Sequence, residues 1–205
     1  MYSDFDTLSS DDLKRIGQME GEELLRALLR AECIYQGIPV LSLSSSLNIN
    51  AADGGVDAKI TYEGELREDC NRGIIPSKRV CYQVKTGDIK LTDGEIDKLV
   101  LNKDKTDLKP LLRKCLENDG DLVFCLFAND TPDSKEEVDE YLNKIEKVVK
   151  KKFSSLGEGK IHLWQSNQLQ SIFKFFPSIV WKVKRRSRYS VLTHEQWYSS
   201  DRDLE

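Results

Sequence analysis

The run Leu122-Val123-Phe124-Cys125-Leu126-Phe127 constrains the fold more than any other stretch of this chain. Six consecutive apolar residues are too few for a helix of ordinary length, and they leave no polar face. A strand of that kind has to be covered on both sides. Segments patterned as helices flank it. Residues 92–117 read as mostly helical with a break near Pro110. Residues 134–153 place Val138, Leu142, Ile145 and Val149 on one stripe of an otherwise charged helix. A short strand over 160–164 and a closing helix over 167–176, stopped by Pro177, complete this half.

The N-terminal half begins with helix-capping residues, Ser9-Ser10-Asp11-Asp12. Leu24, Leu25, Leu28 and Leu29 then recur at helical spacing as far as about Gln36, and Gly37 ends the helix. A short strand is predicted over 38–43, then a loop at Ser44-Ser45-Ser46. Residues 56–62 alternate apolar and polar, as a half-buried strand does. Residues 63–78 are polar and contain Gly and Pro, which predicts a long hairpin excursion. In the strand over 79–85, Val80, Tyr82 and Val84 face one way and Cys81, Gln83 and Lys85 the other. Three strands in a meander, followed by strands alternating with helices, predict an α/β protein with a mixed central sheet between two helical layers.

A length of 205 residues suits one such domain with a sizeable core. No stretch reaches the roughly 18 apolar residues of a membrane span, and the acidic, polar start does not read as a signal peptide. Five cysteines lie scattered, without a CxxC pair, and Cys81 and Cys125 fall in apolar runs. Reduced, buried thiols of a cytoplasmic protein are the expectation. Only His162 and His194 could add to a zinc site, and neither has ligand spacing. A net charge of −4 argues neither for nor against nucleic acid: an enzyme needs only a local basic surface, whereas a coating protein is usually basic overall.

The chemistry concentrates in two short segments. Asp53-Gly54-Gly55-Val56-Asp57 opens one strand, and Gln83-Val84-Lys85 closes the next, 26 residues from Asp57 to Gln83. Cleavage of a phosphodiester with Mg²⁺ needs rigidly held oxygen ligands near the phosphate, and a lysine beside them can orient water or offset developing charge. If the two strands pair at these ends, Asp57 and Gln83 could share one ion. Each residue alone also has an ordinary reading: Asp57 as a solvated turn carboxylate, Gln83 and Lys85 as an exposed strand face, Asp53 as a loop residue. Lys59 is a solvated neighbour that could touch a phosphate.

These two segments resemble the motif of the PD-(D/E)xK nuclease superfamily, in its Mrr-like branch: Gly54-Gly55-Val56-Asp57 and then Gln83-Val84-Lys85. The branch also carries a glutamate early in its first helix, before a Leu-Leu pair. Glu22, ahead of Leu28-Leu29, matches, with Glu23 as the neighbouring alternative and Gly21 where an aromatic is often found. The resemblance spans about residues 15–175. It implies a restriction-endonuclease-like α/β/α core and a Mg²⁺-dependent endonuclease, with Mn²⁺ as a substitute, acting on double-stranded DNA. Asp57, Gln83, Lys85 and Glu22 are then the catalytic residues. The metal rests on Asp57, the Val84 carbonyl, Gln83 and, through water, Glu22. Such effectors are often fused to a sensor or an NTPase in antiphage defence. That suggests a domain over 1–181, a linker over 182–205, and action as a homo-oligomer or within a larger fusion. Two other functions keep the same fold: an inactive nucleic-acid-binding or oligomerisation domain, and an RNase.

Lys182, Lys184, Arg185 and Arg186 form a basic run that either contacts a nucleic-acid backbone or is a solvated linker. Tyr82 and Trp164 fit a core better than a base-stacking surface. Gly157-Glu158-Gly159-Lys160 is followed by Ile161 and lacks the upstream glycine of a phosphate loop. No Ser-His-Asp or Cys-His arrangement is evident.

Overall fold

The computed structural model describes residues 8–45, 55–67, 72–87, 92–127, 135–153 and 159–185. Asp53, Gly54, Cys70, Arg186 and His194 lie outside the described residues, as do the side chains of Lys182 and Arg185. The protein is α/β: a five-stranded mixed sheet with helices on both faces. The strands are β1 (Leu43–Ser45), β2 (Ala58–Thr61), β3 (Arg79–Lys85), β4 (Asp121–Leu126) and β5 (Ile161–Trp164), in that spatial order. β1 to β3 form an antiparallel meander, while β3–β4 and β4–β5 pair in parallel.

β4 sits between β3 and β5 and is buried at every position. Its alternate side chains feed two cores. Val123, Cys125 and Phe127 join Val80, Tyr82 and Val84 beneath α1 (Ser10–Lys14), α2 (Gln18–Gln36), α6 (Ser166–Phe173) and α7 (Pro177–Arg185). Leu122, Phe124 and Leu126 join Cys81 beneath α3 (Asp93–Val100), α4 (Pro110–Leu116) and α5 (Lys135–Lys152). Ile145 and Val149 of the α5 stripe are fully buried, with Val138 and Leu142 packed beside them. Tyr82 and Trp164 are core residues, with ring centroids 5.8 Å apart. Cys33, Cys81, Cys115 and Cys125 are buried free thiols.

Four details differ from the sequence reading. The first helical segment is two helices: α1 has its own capping box between Ser9 and Asp12, and the chain turns at Arg15 to Gly17 before α2. The strand expected over 38–43 is instead a 3-10 turn at Val40–Ser42. β1 then occupies Leu43 to Ser45, the start of the presumed serine loop, because there the backbone meets β2. Residues 101–109 form a bridged excursion between α3 and α4, joined by Leu101 and Leu108. Finally, Pro177 is the first residue of α7, a position where its missing N–H costs nothing. That helix runs through Trp181 into the basic stretch.

Candidate metal centre

β2 and β3 meet just where the two sequence segments lie. Ala58 is paired with Tyr82, and the Asp57 N–H also donates to the Tyr82 carbonyl, at 2.8 Å. Two consecutive residues facing one is the arrangement of a β-bulge, which re-aims the side chain at the bulge. The Asp57 carboxylate accordingly turns along β3, and its Oδ2 accepts the Val84 N–H at 2.6 Å.

A residue that bonds an antiparallel neighbour turns its N–H and its C=O to the same side. Val84 therefore presents its carbonyl to the same edge as Asp57. There the Gln18 Nε2 donates to the Val84 carbonyl at 3.1 Å and to Glu22 Oε1 at 2.8 Å. The Thr86 hydroxyl donates to Gln18 Oε1 at 3.4 Å. Glycine 21 makes this approach possible. A Cβ there would lie 3.1 Å from both the Val84 and Thr86 side chains, so residue 21 as glycine lets α2 pack on the end of β3 without displacing them.

Asp57, the Val84 carbonyl and Glu22 are thus gathered at one end of β3, where Lys85 is the last strand residue and half-buried. Gln83 is directed elsewhere. It is 2% exposed and faces the α3–α4 layer. Its amide satisfies both neighbours when its nitrogen donates to the Leu99 carbonyl at 3.0 Å and its oxygen accepts from the Lys109 ammonium at 3.1 Å. An oxygen already facing an ammonium is a poor site for a second cation.

Lys109 is the residue that sequence reasoning passed over. It is 6% exposed, at the N-terminal cap of α4, with its stem against Gly55. A lysine before a helix-starting proline gives no hint of burial; only the packing of 101–109 reveals it.

The basic candidates separate. Lys59 is exposed on β2, opposite Cys81. A hydrogen bond with Cys115 lowers the Cys81 thiol against the effect of burial, and the Lys59 charge lowers it further. Lys184 lies 3.9 Å from Asp12 of α1, with its side chain 18% exposed. One acid–histidine contact also exists, between Asp121 Oδ2 and His162 Nε2 at 3.0 Å. It ties the start of β4 to β5, and Asp121 Oδ1 also accepts the Lys160 N–H. Burial raises the Asp121 carboxyl, but the His162 hydrogen bond and the Lys160 N–H outweigh it and leave it below the ordinary range.

Among the described residues no group of three or more His, Cys, Asp and Glu side chains could hold a metal. Two carboxylates and a carbonyl remain. These all-oxygen donors suit Mg²⁺, which keeps several waters and is commonly held by one or two carboxylates. No family model matches the chain, nor does any curated protein or any solved structure.

Proposed function

We propose that the chain is a Mg²⁺-dependent endonuclease that hydrolyses DNA phosphodiester bonds, of the PD-(D/E)xK type and Mrr-like branch, and serves as an effector domain in antiphage defence or restriction. The observation that carries this is the convergence on Val84: its N–H on the Asp57 carboxylate, its carbonyl accepting from Gln18, which also donates to Glu22. Asp57 and the Val84 carbonyl would hold the ion, and Glu22 would orient its water shell. Bound there, Mg²⁺ polarises the phosphate and supplies a water of lowered pKa. Lys85 would orient the attacking water and offset charge as the phosphorus–oxygen bond to the leaving group breaks. Gln83 acts from behind, as a strut between Leu99 and Lys109.

The test is plasmid cleavage with Mg²⁺ or Mn²⁺, with RNA digested alongside. Asp57→Ala and Lys85→Ala are each expected to slow DNA cleavage by about 10²–10³-fold, the usual loss of one charge-stabilising group. EDTA is expected to stop it. Equal cutting by all three proteins ends the proposal, and cleavage confined to RNA turns it into an RNase.

One observation favours a second function, a nucleic-acid-binding or oligomerisation domain without catalysis. The Gln83 oxygen is engaged by Lys109, which leaves a sparse ligand set. Calorimetric titration with Mn²⁺ that finds no Asp57-dependent binding supports that alternative.

A further inference from the structure

The position of Gln18 is unusual for a residue that only fastens a helix to a sheet. Its Nε2 lies between two pure acceptors, the Val84 carbonyl at 3.1 Å and the Glu22 carboxylate at 2.8 Å. Its own oxygen is kept on the far side by the Thr86 hydroxyl at 3.4 Å. An NH₂ group held between two oxygens is an electrostatic substitute for a cation or for the water on one. Both oxygens belong to the proposed centre, the Val84 carbonyl as a ligand and Glu22 through the water shell. Gly21, one turn along from Gln18, sets the helix close enough for the amide to reach.

We propose that Gln18 is a built-in competitor at this centre: its carboxamide occupies the Val84–Glu22 edge and has to swing away before a divalent ion and its water can use those oxygens. This role rests on the nuclease function proposed above. It makes Gln18 a positioning residue that sets the metal concentration at which the centre loads. It also predicts the opposite of what a ligand would do. Removal of Gln18 improves metal binding, because the ion no longer displaces two hydrogen bonds.

The experiment is calorimetric titration of the full chain with Mn²⁺ alone, for the wild type, Gln18→Ala, Gln18→Met and Asp57→Ala, with a thermal melt of each. Gln18→Ala and Gln18→Met are expected to bind Mn²⁺ about three- to tenfold more tightly than the wild type, the equivalent of one net hydrogen bond. Methionine keeps the length of the side chain without its donor, so it carries the test if the alanine variant does not fold. Asp57→Ala is expected to abolish binding. Asp57-dependent binding of unchanged or weaker affinity in the Gln18 variants overturns this role and leaves the nuclease function standing. A lowered melting temperature with unchanged affinity does the same, because it marks Gln18 as a helix fastener. Absence of Asp57-dependent binding in every protein overturns the metal centre, and this role with it.

Discussion

Gly55 adopts a φ of +78°, and a Cβ built on it would meet the Lys109 side chain at 2.5 Å. The second glycine of the Gly-Gly-x-Asp segment thus meets two demands at once. It supplies a left-handed turn into the bulge, and it leaves room for the stem of a buried lysine. Gly55→Ala is expected to cost about 1–3 kcal/mol, the usual price of a non-glycine residue in that region. Urea unfolding measures it. Adding Lys109→Ala should recover only part of the loss, since it removes the closest contact but leaves the Lys109 Cβ at 3.0 Å, Leu112 at 3.2 Å and the backbone strain. Full recovery would show that crowding alone requires the glycine.

At the scale of elements, the excursion between β2 and β3 is held by the fully buried Ile74 and Ile75, by the Tyr82 hydroxyl donating to the Ile74 carbonyl at 2.7 Å, and by Arg72. The Arg72 guanidinium lies 3.7 Å from the centroid of the Tyr35 ring on α2 and 5.0 and 5.5 Å from those of Phe175 and Phe176, after α6. It is also 3.8 Å from Glu32 Oε2, whose side chain is fully buried. Burial pushes the Glu32 carboxyl up, against the Gln36 hydrogen bond and the Arg72 charge. A carboxyl raised in the folded state favours folding while protonated. That contribution is complete in acid and is lost as pH rises from about 4.3 through the folded value. Without Arg72 the carboxyl rises further. Arg72→Ala is therefore expected to cost about 3 kcal/mol near neutral pH and clearly less near pH 5. Guanidinium melts at the two pH values decide it, and equal losses would assign the effect to ring stacking alone.

Over the whole molecule, one sheet separates two cores, and β4 serves both. Phe124 is fully buried in the core beneath α3 to α5, while its neighbours Val123 and Cys125 belong to the other. Phe124→Ala is expected to cost about 3–5 kcal/mol. Because the strand is shared, α2 on the opposite face should unfold in the same transition. Hydrogen exchange that stays slow in α2 while α5 opens would show the two layers to be independent.

The parts of this fold legible in the sequence were those set by local pattern. The apolar run of β4 requires cover on both faces, and the stripe of α5 and the alternation in β3 each name their buried side. Pro177 and the 38–43 segment were misread because a proline can start a helix as well as end one, and because a strand begins where a partner is available to pair. The candidate site divides the same way. Asp57 and Lys85 were named as candidates by their type and spacing, and Glu22 and the Val84 carbonyl by the resemblance. The turning of Gln83 toward Lys109, and of Gln18 onto the Val84 carbonyl, depended on contacts between segments far apart in the chain. Sequence fixes what each side chain can donate or accept. Which partner it meets is a matter of packing, and here a bulge at Asp57, a glycine at 21 and a buried lysine at 109 made that choice.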